Sequence, residues 1–240
     1  MNSFIWIVVP YVALTCFAVG LSWRYRYDKF GWTSRSSQMY ENRLLAWGGP
    51  LFHFGILGVL VGHVVGLVIP ADWTTRAGLS EENYHRMAVT TGVVFGLMTV
   101  VGLVLLVYRR RLTPSVFRAT TGMDKAMYVM LGGVIAVGMY NSFVVQLLGP
   151  GHDYREDVAV WFRSVFWFQP DAGAMQGAPL SFQLHALMAM GLFALWPFTR
   201  LVHVFSAPVG YLVRPYIVYR SRDRHGSARP PRRGWEKVGS

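Results

Sequence analysis

The chain has 240 residues, of which 53% are hydrophobic, 15% aromatic and only 15% charged. That is too little charge to clothe a soluble globule of this size, so the sequence is that of an integral membrane protein. The net charge of +11 does not signal a nucleic-acid partner, because the basic residues fall in short segments between apolar runs, as orientation signals do.

Residues 1–23 carry no charged side chain, and roughly 20 apolar residues suffice to cross a hydrocarbon core about 30 Å thick. MNSFIWIVVP lacks the basic start and small-residue cleavage site of a signal peptide. The stretch is therefore expected to remain as a first span, kinked at Pro10. Its Cys16 is the only cysteine, which excludes an intrachain disulfide and a cysteine-ligated iron–sulfur cluster within this chain. Residues 24–43 are polar and basic. A second span is expected over about 45–69, carrying His53 and His63, followed by a loop of mixed charge, ADWTTRAGLSEENYHR. The third, about 87–108, stops at Arg109, Arg110 and Arg111, and the fourth covers about 126–148.

A long connection occupies 149–179. Its piece VAVWFRSVFWF is too short to span and is interrupted by Arg163, so it is expected to lie in the interface as an aromatic-rich helix. The fifth span, about 180–204, carries His185 and His203, with Pro197 near its end. Residues 213–240 are basic and then proline-rich without hydrophobic periodicity, which predicts a largely disordered tail after a membrane domain of 1–212. Five crossings place nineteen of the twenty-three Lys and Arg on one side, leaving Arg76, Arg86, Arg155 and Arg163 on the other. Positive residues stay inside. The expected architecture is therefore an all-α integral membrane protein of five transmembrane helices, with the N-terminus outside and the C-terminus cytoplasmic.

Four histidines inside two oppositely directed spans call for a reason, since ionisable groups in a bilayer are costly and mark cofactors, cavities or pathways. The second span travels outward, so His53 is its inner histidine and His63 its outer; the fifth travels inward, so His185 is outer and His203 inner. Two antiparallel helices can clamp two stacked haems if each supplies one histidine near each face, which predicts the pairs His53 with His203 and His63 with His185. The spacings are unequal: ten residues rise ~15 Å and eighteen rise ~27 Å. Helix tilt, side-chain reach and a break at Pro197 must absorb the difference. Zinc or copper would need ligands converging within a few ångströms, which histidines ~15 Å apart along one helix do not offer. Gly55, Gly58, Gly62 and Gly66 form a stripe away from both histidines, expected to serve close helix packing. His85, His152 and His225 fall in loops or the tail, and for the last two an ordinary solvated residue is expected.

The stretches SSQM at 36–39, LFHFGILGVLVGH at 51–63, RATTGMD at 118–124 and LHALMAMGLFALWPFTRLVHVFSAPVGYL at 184–212 resemble the gamma subunit of respiratory membrane-bound nitrate reductase, its cytochrome b subunit. The likeness covers about residues 6–224. It implies two b haems ligated by His53, His63, His185 and His203. It also implies oxidation of a quinol, expected to be menaquinol, near the outer haem. Electrons would pass to an iron–sulfur beta subunit and then to a molybdenum alpha subunit that reduces nitrate. The implied location is the bacterial cytoplasmic membrane, as a multi-pass protein, with lipid, quinol and the two subunits as partners. The family places a lysine before the third span, where this chain has none; Tyr84, His85 and Arg86 are the candidate quinol-site residues, with anchoring of the helix end the alternative for Arg86. Arg200 is read either as a partner for an inner haem propionate or as a snorkelling positive-inside residue. Two rivals remain beside this reading: a cytochrome b anchor of another quinol-linked complex, and a colourless five-helix scaffold or transporter subunit.

Overall fold

The computed structural model describes residues 3–28, 31–32, 37 and 39–206; the tail expected over 213–240 lies outside the described residues. Every regular element among the described residues is helical. Helix α1 covers Ser3–Tyr27, α2 Arg43–His63, α3 Ala71–Arg76, α4 Glu81–Leu112, α5 Pro114–Arg118, α6 Gly122–Met139, α7 Val158–Phe166, α8 Ala172–Gly177 and α9 Leu180–Leu195. Helices α2 and α6 continue as π-helical turns, Val64–Val68 and Tyr140–Leu148. Five stretches are long and apolar enough to cross a membrane: Ser3–Tyr27, Arg43–Val68, Glu81–Leu112, Gly122–Leu148 and Leu180–Phe198. Few of their side chains are buried, and many apolar ones are exposed, among them Leu57, Leu60, Val104 and Val129, as helices facing lipid require.

Two spans begin earlier than expected, and capping explains both. Ser80 accepts a hydrogen bond from the Asn83 N–H, and Glu81 and Glu82 occupy the first turn of α4, where carboxylates favour a helix start. Tyr84, His85 and Arg86 consequently stand on α4 rather than in a loop. Helix α6 opens with a capping box in which Thr121 Oγ1 accepts from the Asp124 N–H and Asp124 Oδ2 accepts from the Thr121 N–H. The fifth span is broken where Pro197 stands. Short 3₁₀ turns over Trp196–Phe198 and Arg200–Ser206 replace the α-helix, so His203 rides on a separate segment.

Helices α2 and α4 run in close contact because glycine lets their backbones approach. A Cβ on Gly55 would stand 2.6 Å from the Thr99 backbone nitrogen, and one on Gly102 would collide with the Phe52 backbone. The glycine stripe divides here. Gly55 and Gly58 pack on α4 and Gly66 packs on Tyr154 of the connection, whereas Gly62 faces open space. Helix α9 packs between α1 and α6.

At one end of the bundle the arginines tie helices together. Arg24 donates to the carbonyls of Pro197 (2.6 Å) and Thr199 (3.2 Å), which the break leaves open. Arg109 is buried against Glu41 (2.6 Å) and Ser37, and Arg110 donates to Tyr128 and Thr120. Burial pushes the Glu41 carboxyl up, but the Leu44 N–H and Arg109 outweigh it and hold it below its ordinary value. At the opposite end, α7 does not simply lie in the interface. Trp161 donates to the Trp6 carbonyl at 3.0 Å, and Arg163 donates to the Leu67 carbonyl at 3.1 Å in the π turn after α2. That closes a core of Trp6, Ala13, Trp161, Val165, Met175 and Met190.

Candidate functional site

The four span histidines meet in two pairs. The rings of His63, at the end of α2, and His185, on α9, have centres 6.0 Å apart with planes inclined 30°. Those of His53, on α2, and His203, beyond the Pro197 break, are 6.1 Å apart and inclined 70°. The pairs are those expected from the topology. The break resolves the unequal spacings: His203 is carried by its own 3₁₀ turn instead of lying eighteen helical residues beyond His185.

The separation has chemical meaning. An imidazole nitrogen sits about 2 Å from a metal it ligates, and the ring centre lies roughly 1 Å behind the nitrogen, so two imidazoles across one metal ion stand about 6 Å apart. Each pair leaves room for one such atom. Ring orientation agrees. His53 Nδ1 donates to the Gly49 carbonyl and His63 Nδ1 to the Val59 carbonyl, each at 2.8 Å, and His203 Nδ1 to the Arg200 carbonyl at 2.6 Å. A hydrogen bond at one ring nitrogen fixes the tautomer and presents the other as a ligand. His185 departs from this pattern. Its ring faces the Val134 carbonyl of α6, but Nδ1 completes no hydrogen bond. It rests instead on Gly138, where a Cβ would stand 2.8 Å from His185 Cε1. Among the described residues no three His, Cys, Asp or Glu converge. Each pair therefore offers two axial ligands, and a group that brings its own equatorial donors, as a porphyrin does, fits that donor set.

Around the His53–His203 pair, the Arg200 fork grips Asp124 at 2.9 and 2.7 Å, with Asp124 almost wholly buried. This ties the start of α6 to the segment bearing His203. Neither expected role of Arg200 included this pairing. The sequence signal was present, since Asp124 lies in the RATTGMD stretch at the capping position.

Around the His63–His185 pair, the connection 149–157 forms a cap. The Tyr154 hydroxyl packs on Gly66, one turn beyond His63, and lies 3.1 Å from the Tyr84 hydroxyl. Burial, with Tyr84 hydrogen-bonded beside it, pushes the Tyr154 phenol far above the ordinary tyrosine value. Arg155 lies 4.0 Å over the Tyr84 ring and bonds Glu81 and Thr74. The three quinol-site candidates thus diverge. Tyr84 is buried in this cluster, His85 is exposed beside Gly151, and Arg86 is exposed and paired with Glu82 at 2.8 Å. His152, expected as an ordinary solvated residue, is half-buried with Nε2 2.8 Å from Asp157 Oδ2.

Residues 2–222 match the family described as nitrate reductase gamma subunit. The chain belongs to that family. It is 42% identical to the nitrate reductase gamma chain of Bacillus subtilis, with 92% of this chain and 99% of the relative covered. It is 36% identical to the respiratory nitrate reductase 1 gamma chain of Escherichia coli K12, covering 92% and 98%. It is also 56% identical over 236 residues to the nitrate reductase-like protein NarX of Mycobacterium tuberculosis, and there it spans only 36% of the relative's length. The gamma subunit fold in this chain is thus a multi-pass helical bundle in which one histidine pair joins α2 to α9 and the other joins α2 to the segment after the Pro197 break.

Proposed function

We propose that this gamma-family chain is the membrane cytochrome b subunit of a respiratory nitrate reductase. It oxidises quinol, expected to be menaquinol, near the outer face of the bacterial cytoplasmic membrane. Electrons pass inward to an iron–sulfur beta subunit and on to a nitrate-reducing molybdenum alpha subunit. His63 and His185 hold the outer b haem, and His53 and His203 the inner. When bound, these groups take electrons singly from quinol and carry them across the bilayer. The observation that supports this most directly is the recurrence of a 6 Å imidazole pair at both levels, between two spans that are otherwise packed on other partners.

The chain's own residues set the conditions for that chemistry. The backbone carbonyls of Gly49, Val59 and Arg200 orient three of the ligands, and the Asp124–Arg200 pair ties the segment bearing His203 to α6. The cluster of Tyr84, Tyr154 and Arg155 stands one turn beyond the outer pair, with Tyr84, His85 and Arg86 as the quinol-site candidates. With the N-terminus outside, protons from quinol are released outside while electrons move inward. Moving two electrons against an inside-negative potential stores about 4.6 kcal/mol per 100 mV.

The test is a reduced-minus-oxidised spectrum with a pyridine haemochrome count on the purified chain, His53→Ala and His185→Ala. Two b haems per chain are expected, with each variant losing a different one. A colourless chain, or a haem untouched by either change, sinks the assignment and leaves a structural membrane subunit.

A further inference from the structure

We infer that His152, oriented by Asp157, is the base that receives the protons of the quinol; the inference rests on the proposed function. His152 engages Asp157 Oδ2 through Nε2 alone. Among the described residues no group is hydrogen-bonded to its Nδ1. Asp157 is itself fixed, because its other oxygen accepts the Val158 N–H as the N-cap of α7. The backbone of His152 is clamped from both sides by one side chain: Gln146 Nε2 donates to its carbonyl and Gln146 Oε1 accepts from its N–H, each at 2.7 Å. Gly151, at φ +81°, supplies the left-handed turn that brings His152 round. A carboxylate on one imidazole nitrogen, a rigid mount and an open second nitrogen make up the orienter-and-base arrangement of general base catalysis.

Its placement suits that role. The His152 ring centre is 5.1 Å from that of Phe182, which precedes His185 by three residues on α9 and so lies about 4.5 Å further out along the helix. Tyr154, two residues after His152, packs on Gly66, three residues past His63. The connection therefore touches both ligand helices one turn beyond the outer histidines. The side chains of His152 and Asp157 keep 24% and 15% of their surface, enough for water to reach them. The other titratable groups nearby are Asp153, Tyr154 and Arg155 on the connection and Glu81, Tyr84 and His85 on α4; α9 meets His152 with Phe182. Arg155 is engaged by Glu81, Tyr154 by Tyr84, and among the described residues no carboxylate bonds His85.

The step balances as follows. Each quinol O–H bond that breaks would send its proton to His152 Nδ1 and one electron to the oxidant, the haem that His63 and His185 would hold. Asp157 stabilises the imidazolium, which returns the proton to outer water before the second transfer. Two such events convert quinol to quinone, two protons and two electrons.

The experiment follows haem reduction by stopped flow in the haem-loaded full chain across neutral pH, with duroquinol or with dithionite, a reductant that needs no proton acceptor. His152→Gln is expected to be reduced by duroquinol roughly 10²-fold more slowly with a flattened pH profile. Asp157→Asn, which keeps the cap, is expected to slow less. Dithionite should reduce both variants as it does the parent chain. Independently of turnover, saturating duroquinone is expected to protect His152 from diethyl pyrocarbonate, read by mass spectrometry. Parental rates and pH profile in His152→Gln, or an unprotected His152, overturn the role of His152 and leave the proposed function standing. Haem that dithionite reduces but duroquinol does not, in the parent chain, overturns the proposed function and this role with it.

Discussion

At the scale of single residues, the four histidines are held unequally, and Gly138 is the reason one of them is vulnerable. Three have an Nδ1 hydrogen bond to a carbonyl three or four residues back on their own segment, which costs nothing in tertiary structure. His185 lacks that anchor and depends on the shape of α6 beneath it. A methyl group at 138 would stand 2.8 Å from His185 Cε1, closer than carbon atoms approach without one of them moving. Overpacking of this kind costs about 1–3 kcal/mol. Gly138→Ala is therefore expected to shift the potential or lower the occupancy of the outer haem while the inner haem keeps its spectrum, measured by redox titration of the two b bands. Gly177→Ala, where a Cβ meets open space, serves as the silent control. Equal shifts in both bands would mean that α6 does not position His185 specifically.

At the scale of elements, the break at Pro197 separates the two histidines of the fifth span and hands His203 to a short 3₁₀ turn, which cannot hold a ligand by itself. Arg24 satisfies the carbonyls the break leaves open, and Asp124 grips Arg200 across it. Removing one member of a buried ion pair costs about 3–5 kcal/mol, because the other charge stays behind. The pair qualifies as buried, with side-chain exposures of 11% for Arg200 and 2% for Asp124. Asp124→Asn is thus expected to lower the melting temperature and to yield chains with the outer haem alone, counted by pyridine haemochrome; retention of both haems would show that the segment is held by other contacts. The elements also show what a sequence discloses. The five spans and the two histidine pairs were legible, because hydropathy and chain direction fix both. The earlier starts of α4 and α6 were legible too, in Ser80 with its following glutamates and in Thr121 with Asp124, but apolar content alone masked them. The π turns, the pairing of Arg200 with Asp124 and the clamp of Gln146 on His152 were not. They depend on which side chains meet across helices, and no periodicity within one segment encodes that.

At the scale of the whole molecule, one end of the bundle collects Arg24, Arg109, Arg110 and Arg200 as inter-helix ties. The other end uses aromatic residues with Arg155 and Arg163. The charge asymmetry proposed to orient the chain in the bilayer also builds its two ends differently, and the proposed direction of electron flow depends on it. With the basic end in the cytoplasm, each electron passing from His63–His185 to His53–His203 moves against the potential, storing about 2.3 kcal/mol per 100 mV for a full crossing. Reversed, the same wire would dissipate that work. In a Cys16→Ser background, Ala77→Cys probes the end beside α3 and Ala119→Cys the end beside α5, both at exposed positions. In right-side-out membrane vesicles an impermeant maleimide is expected to label position 77 at once and position 119 only after permeabilisation. The opposite pattern would invert the topology, place His53 and His203 nearest the outside, and remove the energetic case for quinol oxidation at the His63–His185 end.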